Sequence, residues 1–395
     1  MNWWKNLNPV KNGAPLGLQS GVPSGAESQP ASIRGLKAAV LWRRDKIIIR
    51  EKIFNGIKGK IRLAEPLEGH ATFKIGGPAK FFIEPEDLNN LKSLLGLIKK
   101  YNLGIFVIGG GSNLLISDKG INGVVLRLNT PYFKKLSYRD NYLNVGSGVL
   151  LNTVVLFAKE HGLSGAEFLA GIPGTVGGAL AMNAGIAKKI NPSASLRVDG
   201  EQSRTMKNPC LPVRQEKSPP LPKPDAPSAQ KAEPPTAERI KNIGDLVEMA
   251  TVMDYNGKVK TLYKKDIEFG YRKSSLSKYI ILGTSLRLTK ENKKKIGERI
   301  KEYIDYRKAT QDLSKPSCGC IFRNPRGHSA GRLIDLCGLK GKRIGGAGVS
   351  LKHANFILNL GKGSFRDICK LMDLIKKEVR EKFNIDLKPE IKIWQ

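Results

Sequence analysis

Two glycine-rich segments carry the residues best suited to chemistry in this chain. The first is Ile108-Gly109-Gly110-Gly111-Ser112-Asn113-Leu114-Leu115, which follows directly on an apolar run. Glycines lack a Cβ, so consecutive glycines let backbone N–H groups approach an anion closely. Ser112 and Asn113 add side-chain hydrogen-bonding groups. The second is Gly171-Ile172-Pro173-Gly174-Thr175-Val176-Gly177-Gly178-Ala179, continued by Met182-Asn183-Ala184-Gly185. Its small residues would let a flat or extended cofactor lie against the backbone. Neither segment is G-x-G-x-x-G, so a Rossmann dinucleotide site is not supported, and neither ends in Gly-Lys-Ser/Thr as a P-loop does. Taken singly, each loop is more often an ordinary turn; two together set phosphate binding level with that reading. Cys318 and Cys320 stand as C-x-C, but no second Cys or His pair lies at zinc spacing, so no metal is expected.

These loops need elements to hold them. Phe81–Ile83 reads as a short strand. Leu88, Leu91, Leu94, Leu95 and Ile98 recur at helical spacing and predict a helix from about Asp87 to Tyr101. Ile105–Ile108 is a buried-strand run broken by the three glycines. Val124–Leu128 and Leu143–Val145 read as further strands, and Leu151–His161 as a helix ended by Gly162. Asn256-Gly257 between two alternating runs, 250–253 and 258–262, is a hairpin signal. Tyr279–Leu288 reads as a strand and Lys293–Arg307 as a helix. Ser364 and Asp367 resemble a capping box ahead of Phe365, Ile368, Leu371, Met372, Ile375 and Val379, which share one helical face. The fold class is α+β.

Two stretches lack this texture. Residues 1–45 are rich in Gly, Pro, Ser and Asn and predict a disordered extension. Ten of the 22 prolines lie between Pro192 and Pro235, where aromatic residues are absent. That predicts a disordered insertion over 187–241, because such a segment cannot bury enough apolar surface to offset its ordering entropy.

The charge is 67 − 35 = +32. Such a balance favours anionic partners, but no basic block is interleaved with aromatics as a single-strand binder would need. No apolar run approaches the roughly 18 residues of a membrane span. Five cysteines, an odd and sparse set, argue against a disulfide framework. A cytoplasmic protein is the expectation; the sequence does not set the oligomeric state, with a monomer favoured.

Ordered motifs then identify a family. Thr72-Phe73-Lys74-Ile75-Gly76-Gly77-Pro78-Ala79, the first glycine loop and the second glycine loop resemble, in that order, the flavin-binding half of the UDP-N-acetylenolpyruvoylglucosamine reductase (MurB) family. Phe269-Gly270-Tyr271-Arg272-Lys273-Ser274-Ser275 is similar to its Y-R-x-S segment. Pro316–Pro325 is similar to its proton-donor segment. Ala330–Asp335 and His353-Ala354-Asn355-Phe356 follow in register, and Leu387-Lys388-Pro389-Glu390-Ile391 resembles its terminal glutamate segment. The resemblance covers roughly residues 60–185 and 242–394 and lacks the extra tyrosine-bearing loop of one subtype. It implies a two-subdomain FAD-binding fold of the vanillyl-alcohol-oxidase type, over 46–130 and 131–290, plus a carboxy-terminal α+β substrate-binding domain over 291–395. It also implies NADPH as reductant and a UDP-sugar enolpyruvyl ether as substrate. Thr72, Ile75, Gly76, Gly77, Gly109, Gly110, Gly111, Ser112, Asn113, Leu114, Gly171, Pro173, Gly174, Thr175, Gly177, Gly178, Asn183 and Gly185 match its FAD-binding segments.

Three residues match the family's catalytic positions. Arg272 would stabilise negative charge developing on the substrate carboxylate through its planar, permanent cation. Glu390 would either carry a proton or position that carboxylate. Cys320 stands where most members have serine as proton donor; a thiol with pKa near 8.5 is a much stronger acid than an alcohol. Two other readings remain: another flavin oxidoreductase of the same fold, and a basic nucleic-acid-binding or scaffold protein built on a degenerate reductase fold.

Overall fold

The computed structural model describes residues 53–186 and 241–395. The expected extension over 1–45 and nearly all of the expected insertion lie outside these residues. Lys241, expected inside the insertion, instead pairs with Ile186, and Asn242 with Gly185, in a short antiparallel ladder. That ladder clamps the two chain ends between which the proline-rich stretch runs.

A first sheet holds β1 (Gly59–Pro66), β2 (Pro78–Pro85), β3 (Ile105–Ile108) and β5 (Ile121–Arg127); β4 (Leu114–Ile116) lies outside it. Its order is β1-β2-β5-β3. β1 and β2 are antiparallel, whereas β5 runs parallel to both β2 and β3. Helix α1 (Leu88–Lys100) makes the crossover from β2 to β3. Asp87 caps it by accepting from the Asn90 N–H at 2.9 Å, and Leu91, Leu94, Leu95 and Ile98 are its buried stripe.

A second, antiparallel sheet follows. It is built from β6 (Leu136–Arg139), β7 (Tyr142–Gly146), β8 (Val247–Met253), β9 (Val259–Tyr263) and β10 (Ile280–Arg287), in the order β9-β8-β10-β7-β6. Helices α2 (Leu151–Glu160), α3 (Val176–Ala181) and α4 (Lys293–Thr310) supply the apolar residues packed with it, among them Val154, Leu180, Ile296 and Ile300. The predicted Asn256-Gly257 turn joins β8 to β9, and Gly257 takes a φ of +83°.

The last part carries α5 (Ala330–Leu336), the small sheet β11 (Arg343–Ile344), β12 (Ala347–Val349) and β13 (Ile357–Asn359), and α6 (Phe365–Phe383). Both hydrogen bonds of the predicted capping box, between Ser364 and Asp367, are present at the start of α6. A missing cap of this kind typically costs about 1 kcal/mol. Finally β14 (Lys392–Trp394) returns to pair in parallel with β4. Spacing alone did not predict that strand. Among the described residues no helix is long and apolar enough to cross a membrane.

Candidate active site

The first sheet, the second sheet and β14 line an open cleft of about 270 Å³. Its walls include Ile105–Gly109 of β3 and the first glycine loop, Thr175, Gly177 and Gly178 of the second, Ile281 of β10 with Tyr279 just before it, and Lys392 and Trp394 of β14. The two glycine loops touch one another. A Cβ built on Gly110 would lie 2.6 Å from the Gly174 Cα, and one on Gly109 would lie 2.5 Å from the Thr175 Oγ1. The glycines are therefore needed for loop-on-loop contact as well as for leaving backbone open to a ligand.

The predicted cofactor residues separate into groups. Gly109, Leu114, Thr175, Gly177 and Gly178 line the cavity. Gly110, Ser112 and Gly174 form the contact between the loops, with the Ser112 Oγ 3.1 Å from where a Gly174 Cβ would sit. Gly111 has a φ of +63°, and a Cβ there would stand 2.0 Å from the His70 carbonyl oxygen. Thr72 donates its N–H to the Gly111 carbonyl at 3.1 Å, and Gly77 donates its N–H to that of Ser117 at 2.9 Å. Gly76 packs against Ile116 of β4. These residues brace the loop from behind. Ile75 does not reach the cavity wall; it is buried in the apolar core of the carboxy-terminal part. Pro173 is exposed. Both polar atoms of the Asn183 side chain bond to protein: its Nδ2 donates to the Gly270 carbonyl at 3.1 Å, and its Oδ1 accepts from the Gly244 N–H at 3.1 Å.

That last arrangement fixes the hairpin that presents Arg272. Phe269–Gly270 pairs with Lys273–Ser274, leaving Tyr271 and Arg272 at the turn. Arg272 takes a φ of +53°, which a non-glycine residue adopts at a cost of order 1–3 kcal/mol. Two bonds hold it there. Its Nε donates to the Glu390 Oε1 at 2.8 Å, and its Nη1 to the Gly185 carbonyl at 3.2 Å. Tyr271 donates its hydroxyl to the Glu390 Oε2 at 3.3 Å.

Glu390 and Cys320 are placed by one irregular ladder. Cys320 bridges to Phe356, and Phe322 to Pro389. The Glu390 N–H donates to the Ile321 carbonyl at 2.8 Å, and the Ile321 N–H to the Asn355 carbonyl at 2.9 Å. The buried Asn355 side chain locks the strand by accepting from the Phe322 N–H at 2.9 Å and donating to its carbonyl at 2.8 Å. Composition gave no hint of that role; the only signal was the H-A-N-F segment. Asn113 of the first glycine loop then donates its Nδ2 to the Glu390 carbonyl at 3.3 Å. Arg272, Cys320, Glu390 and Asn113 thus converge, and the neighbouring residues Leu114 and Lys392 continue onto the cavity wall.

The expected acidity of Cys320 is corrected. Burial, then the neighbouring Glu390 carboxylate, push its thiol from 9.0 up to about 12; Arg272 and Arg307 pull it part of the way back. The thiol therefore stays protonated across the physiological range. A raised folded-state value means that its stability contribution is complete below pH 9 and is lost as the pH rises towards 12. At pH 8 the thiolate fraction is only about 10⁻⁴. Iodoacetamide at that pH should accordingly leave Cys320 unmodified long after an exposed thiol has reacted, as read by mass spectrometry of the cleaved protein. Rapid modification would contradict this environment.

The cavity suits a flat, polar cofactor. Gly177 and Gly178 present backbone without side chains, and a Cβ on Gly177 would sit 3.0 Å from the Ser147 Cβ. The Ser147 hydroxyl is buried on the same wall with no protein partner, and a buried hydroxyl left unpaired costs about 1–3 kcal/mol. It is a donor waiting for an acceptor that the chain does not supply. Arg127, Asn129 and Tyr255, which sequence reasoning missed, add further polar groups to the wall.

The comparisons with known proteins agree with this geometry. Residues 79–192 match a family described as FAD binding domain, and residues 311–394 match UDP-N-acetylenolpyruvoylglucosamine reductase, C-terminal domain. UDP-N-acetylenolpyruvoylglucosamine reductase of Bacillus subtilis is 34% identical over 350 residues, covering 87% of this chain and 98% of that protein. Reductase 2 of Symbiobacterium thermophilum is 35% identical over 338 residues, covering 85% and 92%. The crystal structure of the Thermus caldophilus reductase superposes with a TM-score of 0.61 at 31% identity, over 86% of this chain and all of that one. With relatives at 34–35% identity covering 85% or more of the chain, and with a domain family matched in each half, the chain belongs to the UDP-N-acetylenolpyruvoylglucosamine reductase family.

Proposed function

We propose that the chain reduces the enolpyruvyl ether of UDP-N-acetylglucosamine to UDP-N-acetylmuramate, a step of peptidoglycan precursor synthesis, with NADPH as reductant and FAD as carrier, and that Arg272, Cys320 and Glu390 do the chemistry. The observation that carries this reading is the convergence of those three residues, far apart in sequence, with Glu390 bonded to Asn113 of a glycine loop. The domain division at 46–130, 131–290 and 291–395 belongs to the same proposal. It is supported by the three larger sheets, which fall within 59–127, 136–287 and 343–359, while the β4–β14 pair joins the first part to the last.

When bound, FAD would supply hydride chemistry at the terminal enolpyruvyl carbon, with NADPH as the source of reducing equivalents. Each of the chain's own residues has a separate task. Ser147 and the backbone of Gly177 and Gly178 hold the cofactor against the cavity wall. Arg272 stabilises the charge that spreads into the substrate carboxylate as the double bond is reduced. Glu390, held by Arg272 and Tyr271, fixes the direction of that guanidinium. Cys320 delivers the proton to the carbon next to the carboxylate. Its raised pKa keeps that proton on sulfur until negative charge builds up on the substrate.

The test is direct. Purified protein should be yellow, bleach on anaerobic addition of NADPH, and recover its colour on addition of the enolpyruvyl sugar nucleotide, with UDP-N-acetylmuramate formed. A colourless protein, or a bleached one that the substrate does not reoxidise, would sink the proposal.

A further inference from the structure

Helix α4 buries Ile296, Ile300, Tyr303 and Arg307 along one stripe. The first three are apolar or aromatic, as a packed helix face requires. The fourth is a guanidinium, in a position where a leucine would be expected. Arg307 is 9% exposed. Its stem passes Gly171, with Cδ and Nε each 3.3 Å from where a Gly171 Cβ would be. That glycine of the second loop has a φ of +70° and leaves the room that the guanidinium uses.

Arg307 differs from its neighbours in what it lacks. On the same helix Arg299 pairs with Glu167 at 2.9 Å, and Arg272 pairs with Glu390 at 2.8 Å. Among the described residues no carboxylate pairs with Arg307, and its buried Nε has no hydrogen-bond acceptor. Leaving such a group unpaired is costly, because a buried charge needs a partner. Arg307 lies near enough to act electrostatically on both Arg272 and Cys320. The local charges are +1 for Arg272, −1 for Glu390, +1 for Arg307 and 0 for the protonated Cys320 thiol. The cluster therefore carries one positive charge in excess.

We infer that Arg307 is a second arginine for the substrate's carboxylate, contributing the uncompensated charge that the Arg272–Glu390 pair cannot. This rests on the functional reading above and names the part of the substrate held there. The excess charge sits beside the proton donor. The acid must lie next to the carbon that bears the carboxylate, so the carboxylate, rather than the diphosphate, is the anion at hand. One carboxylate brings the cluster to neutrality. The further charge that spreads into it during reduction is then met by a cation already buried and oriented. Sequence reasoning assigned Arg307 no role, because among the many basic residues of α4 it reads as part of a solvated face.

The experiment uses FAD-loaded protein and two sugar nucleotides, with binding read from the perturbation of the flavin spectrum. UDP-N-acetylmuramate carries a carboxylate and UDP-N-acetylglucosamine does not. Arg307→Met should weaken UDP-N-acetylmuramate by about 30-fold or more and change UDP-N-acetylglucosamine by less than about threefold, with Arg307→Lys between wild type and Met. Arg307→Lys keeps the charge and allows the same comparison if the methionine variant fails to retain FAD. Equal weakening of both ligands, or of neither, in a variant that retains FAD overturns the assignment. A wild-type holoenzyme that binds neither nucleotide overturns the functional reading instead, so the two failures are distinguishable.

Discussion

Cys320→Ala should reduce its flavin with NADPH at the wild-type rate yet turn over the enolpyruvyl substrate about 10²- to 10⁴-fold more slowly, the range for loss of a positioned general acid. The two half-reactions separate in a stopped-flow experiment. The first needs no proton at the substrate carbon, and Cys320 is not among the residues lining the cavity. The second needs a proton at the carbon beside the carboxylate. Alanine keeps the bridge to Phe356, since that pairing is made by backbone. Structural damage should therefore be slight, and a loss confined to the second half-reaction would report the missing proton. Cys320→Ser restores a proton on an oxygen at the same place and should recover most of the activity. Equal turnover by Cys320→Ala would end the assignment and leave water as the donor.

Arg272→Lys should lower substrate turnover by about 10²-fold with flavin reduction unaffected, a size common for losing one preorganised charge-stabilising group. Arg272 makes two bonds in different directions, to the Glu390 carboxylate and to the Gly185 carbonyl. A planar fork can do both at once, whereas a lysine ammonium is a single point that can follow only one. Arg272→Gly provides the complementary measurement. It relieves the positive φ and should leave thermal stability within a few degrees of wild type while abolishing turnover as strongly as the lysine variant or more. Such a split would show that the strained backbone is tolerated for the side chain's chemistry. Unchanged turnover in Arg272→Lys would show that a diffuse positive charge suffices.

Much of this was legible in the residues, for identifiable reasons. The α1 stripe of Leu91, Leu94, Leu95 and Ile98 and the Ser364–Asp367 box are local, and local spacing sets them. Arg272, Cys320 and Glu390 were legible only through ordered motifs, because neither charge nor spacing distinguishes them from surface residues. What stayed hidden depends on tertiary contact. The glycines of the first loop read as anion donors, but several are glycine because another backbone passes within van der Waals range. Ile75 lies inside a cofactor-like motif yet packs in the carboxy-terminal core. The Cys320 thiol was read as an ordinary one, because burial beside a carboxylate has no signature in sequence. Arg307 looks like any basic helical residue until α4 is docked.

The parallel pairing of β14 with β4, and the Asn113 bond to Glu390 across 277 residues of chain, impose an order in time. The first sheet closes through pairings among residues 59–127 and can form early in synthesis. Contacts spanning 277 residues of chain form late, because loop closure must be met before they contribute. Lys392, Trp394 and Glu390 therefore arrive after the glycine loops are made. A partly synthesised chain has the cradle without its acid, its guiding carboxylate or the last wall of the cleft. With Glu390 in the site and Lys392 and Trp394 on its wall, catalytic competence depends on contacts that close last.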